Sequence, residues 1–271
     1  MTGVPDRYQV TIVKYGTRAA TRAEVYLNYQ LYREDDGPIG MDYFFWLVHG
    51  EGGTLVVDTG FSPEGGRARK RTLLADVPTL LRHFGVEPAG SPPVVLTHAH
   101  YDHAGNLGLF PSSAVFMARQ EYEFWTGPHA KRTMFHHSVD DVGLEQVRTV
   151  KDEGRLHLLD GATEVLPGVE VVPLGGHTPG QCVVKVPTSD GVVLLASDAV
   201  HYYEEYERDM LFMSVSNLVE MYEGFDRIRR MVRQGEVDHL VAGHDPATLA
   251  RFKPVDGPFG HLAATIGQLG G

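Results

Sequence analysis

His98-Ala99-His100-Tyr101-Asp102-His103 follows the short apolar run Val94-Val95-Leu96. The run reads as a short buried strand, and Ala104-Gly105-Asn106 is predicted to open a helix reaching Phe110. Three imidazoles and one carboxylate therefore crowd a single strand-to-helix turn. These are the side chains that zinc and its neighbours accept as ligands, at about 2.0–2.2 Å. His98 and His100 are two residues apart, so at a strand end they point the same way. Asp102 and His103 come after the chain has turned, so they can face a second point a few Å off. One short turn can serve two metal ions.

Working outward, the same arrangement recurs. Residues 169–174 read as a strand leading into Gly175-Gly176-His177-Thr178-Pro179-Gly180, a histidine between glycines that let the backbone turn sharply. Residues 181–187 and 191–196 read as a hairpin across Ser189-Asp190-Gly191, and its second strand ends at Ser197-Asp198-Ala199. A core strand over 237–242 ends at Gly243-His244-Asp245. Four strand ends thus offer a ligand, and strand ends collect at one edge of a layered sheet. Upstream, strands over 8–14, 42–49 and 54–58 are expected, the last two joined across Gly50-Glu51-Gly52-Gly53. The third ends at Asp58-Thr59-Gly60, a turn whose carboxylate can orient a metal-bound histidine.

The remaining chain supplies helices and loops. Helices are predicted over 71–85, 118–125 and 216–234, the last with Leu218, Val219, Tyr222, Phe225, Ile228 and Met231 at helical spacing. Short strands are expected at 114–117, 156–159 and 163–166, and one terminal helix after Lys253. Residues 126–140 are irregular and aromatic and read as a long loop or lid; their His129, His136 and His137 are weaker ligand candidates, because no strand end positions them. No linker divides the chain, so residues 1–271 are expected to form a single domain.

Composition bounds the function. The chain has 271 residues, 42% hydrophobic and 22% charged, which is ordinary for a globular protein with a substantial core. Its net charge of −11, with one basic cluster over Arg67–Arg71, argues against a nucleic-acid partner. No run of 18 apolar residues is present, so no membrane span is expected. The start, Met1 to Asp6, lacks the pattern of a secretory leader, which makes a cytoplasmic location the default. The single Cys182 makes no internal disulfide and sits in an apolar strand as a core residue.

His98-Ala99-His100-Tyr101-Asp102-His103, followed in order by His177, Asp198 and His244, resembles the metallo-β-lactamase superfamily. The resemblance spans roughly residues 40–250. It implies an α/β (α+β) fold, a four-layer αββα metallo-β-lactamase-like sandwich with the metal site at the loop edge of its two sheets. True β-lactamases of the superfamily carry a cysteine where Asp198 stands, and its nucleic-acid-processing members add a large inserted domain that this chain has no room for. The flanks around His177, Asp198 and His244 are most similar to N-acyl homoserine lactonases. Those enzymes place a tyrosine three residues after the bridging aspartate, against the substrate carbonyl. Here that position is His201, with Tyr202 and Tyr203 next.

The resemblance implies two divalent metal ions. His98, His100 and His177 are assigned to the first and Asp102, His103 and His244 to the second, with Asp198 bridging. Zinc is the first expectation, with iron, manganese or cobalt as alternatives for an N/O site. The implied reaction is the hydrolysis of a lactone such as a quorum-sensing N-acyl homoserine lactone, by a hydroxide shared between the metals. Asp102 would deliver a proton to the leaving alkoxide, and Tyr202 would donate to the carbonyl. His201, Tyr203 and Phe135 are expected at the substrate. Phe124, Trp125, Met134 and Phe135, with Met210, Leu211, Phe212 and Met213, are candidates to line an apolar channel. A glyoxalase II-like thioester hydrolase, or a hydrolase of another small lactone or ester, is the alternative. The expected partner is a small molecule; a homodimer is compatible with the resemblance.

Overall fold

The computed structural model describes residues 8–51 and 53–269. Within it, Met41-Asp42-Tyr43-Phe44-Phe45-Trp46-Leu47-Val48 is buried from end to end. A strand buried on both faces carries an unbroken apolar run rather than an alternating one, and the two faces serve different layers. Tyr43, Phe45 and Leu47 pack into one core with the helices, while Phe44, Trp46 and Val48 pack into another with a second sheet.

This strand is β2 (Pro38–Gly50). It pairs antiparallel with β1 (Gln9–Thr21) and β3 (Gly53–Val57). The first sheet adds β4 (Thr72–Leu73), β5 (Val94–Val95), β6 (Val115–Ala118) and β7 (Leu156–Leu159). Strands β3, β5, β6 and β7 run parallel, so helical crossovers cover one face of the sheet. Strands β8 (Thr163–Leu166), β9 (Val169–Pro173), β10 (Cys182–Thr188), β11 (Gly191–Ser197) and β12 (His239–Ala242) form the second sheet, in the order β12-β11-β10-β9-β8.

Three cores separate four layers. Helices Val77–His83 and Asp141–Asp152 bury Leu80, Leu81, Leu144 and Val147 on the first sheet. Between the sheets Val10, Ile12, Trp46, Val57 and Val95 meet Val171, Cys182, Val184, Leu195 and Val241. On the far side, helix Leu218–Arg233 lays Phe225, Ile228 and Met231 against Val183 and Leu194. The expected α/β four-layer sandwich is therefore observed. Among the described residues no helix is long and apolar enough to cross a membrane.

Three expectations are corrected. The helix predicted over 71–85 is split: Thr72 and Leu73 pair with Thr17 and Gly16 of β1, and the helix starts only at Val77. Asp76 accepts from the Thr79 amide and Pro78 lies in the first turn, which together fix the start there. Among the described residues no terminal helix forms. β13 (Lys253–Pro254) and β14 (Ala263–Ile266) instead complete the first sheet, with Ile266 opposite Val10, so the edge of β1 is covered. The helix placed after Ala104 lies earlier, at Tyr101–Ala104, followed by a 3-10 turn at Leu107–Leu109. Gly52 of the expected hairpin turn and the start read for a leader lie outside the described residues.

Candidate metal centre

The C-terminal ends of β3, β5, β9, β11 and β12 open onto one edge of the sandwich. The backbone turns abruptly there. Asp58 and Ser197 have φ of +61° and +46°, conformations non-glycine residues seldom adopt outside such turns. Gly176, at φ +87°, lies so close to helix Leu218–Arg233 that a Cβ would stand 2.7 Å from the Met221 backbone. That close approach lets His177 reach inward.

The structure brings seven sequence-nominated side chains into two groups. His98, His100, His177 and Asp198 form one, and Asp102, His103 and His244 the other; in each, the donor atoms lie within 4.8 Å of one another and every residue is buried. Asp198 joins them. Its Oδ1 is 3.1 Å from Nε2 of both His103 and His244, and its Oδ2 is 3.3 Å from His177 Nε2 and 3.7 Å from His98 Nε2. Asp102 Oδ2 stands 3.8 Å from His244 Nε2 and 4.0 Å from His103 Nε2.

Groups behind the ligands fix which nitrogen faces inward. Asp58 Oδ2 accepts from His103 Nδ1 at 2.7 Å, the Ser214 carbonyl from His177 Nδ1 at 2.7 Å, and the Asp42 carbonyl from His244 Nδ1 at 2.7 Å. A carboxylate or carbonyl only accepts, so each Nδ1 carries a proton and Nε2 is the nitrogen left to face a cation. Asp58 is itself held by the Thr97 amide and hydroxyl, both at 2.8 Å.

A pair of divalent cations fits this cage. His98 Nε2, His103 Nε2, His244 Nε2 and Asp198 Oδ1 are buried without a hydrogen-bond partner among the described residues. Such orphans are costly unless another electrophile satisfies them. Burial holds the pKa of His98 and His100 well below the ordinary histidine value and brings His177 down to about 3, so these rings are neutral and able to ligate. At His103, burial is outweighed by the carboxylates of Asp198, Asp58 and Asp102, and its pKa is raised well above the ordinary value.

The residues expected at the substrate diverge. Phe135 lines a cavity of about 320 Å³ that opens beside His100 and His177, together with Phe124, Trp125, Met134 and Met213. Met210, Leu211 and Phe212 are core residues instead. His201 is fully buried, with Nε2 3.2 Å from Asp198 Oδ2. Tyr202 is buried and its hydroxyl donates to the Gly40 carbonyl at 3.1 Å, so the group expected at a substrate carbonyl is engaged with the backbone. The Tyr203 hydroxyl donates to the Leu240 carbonyl at 3.2 Å, under the Arg251 guanidinium. Of the lid histidines, His137 lines the cavity, while His136 is half-buried against Asp141. A larger cleft of about 620 Å³ between Ser62–Ala68 and Asp140–Gln146 contains none of the seven side chains.

Glu121 is a residue the sequence reading missed. Fully buried, it accepts from the Ala99 amide at 2.8 Å, the Gly180 amide at 3.0 Å and Trp125 Nε1 at 2.7 Å. It thereby ties the His98–His103 turn to the loop that carries His177. Burial raises its pKa above the ordinary glutamate value.

The family model described as the metallo-beta-lactamase superfamily matches residues 41–244. An N-acyl homoserine lactonase from Bacillus sp is 26% identical over 215 residues, covering 74% of this chain and 80% of that protein. Among solved structures, an N-acyl homoserine lactone hydrolase with N-hexanoyl-L-homoserine bound at its catalytic metal centre superposes with a TM-score of 0.76. It is 19% identical, and the match covers 92% of this chain and 98% of that one. AidC, a dizinc quorum-quenching lactonase, superposes with a TM-score of 0.71 at 17% identity, covering 90% and 89%. At these identities the superpositions speak for the fold.

Proposed function

The chain belongs to the metallo-beta-lactamase superfamily, and from that membership we propose that it is a dinuclear metal-dependent hydrolase that opens a lactone of the N-acyl homoserine lactone kind. The observation that carries the reading is the paired donor cage bridged by Asp198, set beside an apolar cavity. His98, His100 and His177 would hold the first cation, Asp102, His103 and His244 the second, and Asp198 both. Bound there, two divalent cations would bring a shared water's pKa toward neutrality and polarise the ester carbonyl.

The chain's own residues supply the rest. Asp102 lies beside His103 and His244 with one carboxyl edge toward the cage. It would carry a proton to the departing alkoxide, a poor leaving group that must be neutralised as the ring opens. Phe124, Trp125, Met134 and Phe135 would hold an acyl chain and keep water from it. Among the described residues no lysine or arginine lines that cavity. A neutral aliphatic substituent suits it better than the anionic peptide of a glutathione thioester, which is why lactone opening is preferred to the glyoxalase II-like alternative. We propose the whole chain as one hydrolase unit, with zinc as the first metal to test.

Metal analysis of the purified protein, joined to a panel of lactones and thioesters followed by acid release at pH 7–8, tests this. Two equivalents of metal with turnover of acylated lactones is expected, and removal of metal by a chelator abolishes it. Thioester turnover with no lactone opened overturns the lactonase reading; no metal bound overturns the mechanism.

A further inference from the structure

His201 is built like a metal ligand. Its Nδ1 lies 3.1 Å from Glu205 Oε2. Glu205 is fully buried and also accepts from the amides of His201 at 2.7 Å and Phe212 at 2.9 Å. With an acceptor behind Nδ1, the proton stays there and the Nε2 lone pair faces the centre. Phe212 stacks on the ring at a centroid separation of 3.9 Å and fixes its plane. His201 Nε2 is buried and has no hydrogen-bond partner among the described residues. Its neighbour is Asp198 Oδ2 at 3.2 Å, aligned too poorly for a hydrogen bond.

His103 shows the same construction on the other side of Asp198. There Asp58 holds Nδ1, and an orphaned Nε2 stands 3.1 Å from Asp198 Oδ1. Two carboxylate-backed imidazoles thus flank the bridging carboxylate, one on each oxygen. Two ligands of one cation at about 2.1 Å lie roughly 3 Å apart when they are adjacent, which is the spacing of His201 and His177 from Asp198 Oδ2. A ring with its lone pair inward cannot donate to a substrate carbonyl, the task the resembled lactonases give to a tyrosine at this position.

We infer that His201 is a further protein ligand of the first cation, giving that centre four imidazoles against two at the second. The inference rests on the dinuclear reading above. His98, His100, His177 and Asp198 already have their donor atoms within 4.8 Å of one another, and His201, 3.2 Å from Asp198 Oδ2, would add a fifth protein donor; five suit a metal that accepts more than tetrahedral coordination, such as iron, manganese or cobalt, better than zinc.

Proton NMR of the protein loaded with cobalt(II) tests it without reference to turnover. Each ligating histidine contributes one ring N–H shifted far outside the normal range through its metal bond. The five histidines of the two donor groups account for five such signals, so His201 ligation gives a sixth, lost in His201→Phe. Five signals in the unaltered protein, or six that all survive in His201→Phe, overturns the assignment while leaving the dinuclear site standing. Failure to bind cobalt at all overturns the dinuclear reading, and this one with it. The count in the unaltered protein decides even if the variant does not fold.

Discussion

Asp58 Oδ2 accepts a hydrogen bond from His103 Nδ1 at 2.7 Å, in a site where neither side chain reaches solvent. Asp58→Asn keeps the shape but removes the charge that favours the Nε2 lone pair. Carboxylates behind metal-bound histidines are typically worth about 10–100-fold in affinity. We expect the variant to lose one of two metal equivalents to a competing chelator at a correspondingly lower concentration, read by metal analysis after dialysis.

Glu121→Ala strips partners from three N–H groups, on Ala99, Gly180 and Trp125. Each buried donor left unpaired costs about 1–3 kcal/mol, so a loss of about 3 kcal/mol or more is expected in denaturant unfolding. Glu121→Gln retains acceptor oxygen and should lose less. A midpoint within error of the original for Glu121→Ala would show that the strap between the two ligand loops carries no stability.

Phe135→Ala enlarges the cavity beside His100 and His177. If an acyl chain lies there, the variant forfeits about 1–2 kcal/mol of apolar contact, or about 5–30-fold in kcat/KM for long-chain lactones. An unsubstituted lactone should be affected far less. Equal losses for both would place the chain elsewhere.

Glu204 receives two hydrogen bonds from Arg22, both at 2.7 Å, and a further contact from Arg208. Arg22 draws its pKa from the ordinary 4.5 to about 2. A carboxylate whose folded pKa is depressed contributes stability above its unfolded value, and that contribution fades as pH falls through the folded one. Since the group is partly exposed, we discount its worth to about 1–2 kcal/mol. Glu204→Gln should therefore be less stable than the original at neutral pH, with the gap closing between pH 4.5 and about 2 in thermal unfolding.

Much of the centre is readable from the sequence because strand ends announce it. His98, His100, Asp102, His103, His177, Asp198 and His244 each follow an apolar run or a glycine, and the structure gathers all seven. Asp58 carries a similar signal, a carboxylate closing a strand before Gly60. Glu121 carries none. On helix Arg119–Thr126 it has the pattern of a solvated residue, and only the loops folded over it make it internal. His201 and Glu205 are four apart, but nothing local says that their shared face turns inward. The missed C-terminal strands have the same cause: Ala263 and Ala264 hold no strong preference, and the open edge of β1 decides their conformation.

The seven side chains come from both halves of the sandwich, His98 to His103 from the first sheet and His177, Asp198 and His244 from the second. Backbone bonds already stitch the halves at this rim, from the Cys182 amide to the Thr97 carbonyl and from the Asp42 amide to the His244 carbonyl. Ions seated between them would act as rivets. The protein's lifetime would then follow the supply of trace elements around it, and starvation for them would be felt as proteolysis as well as silence of the enzyme.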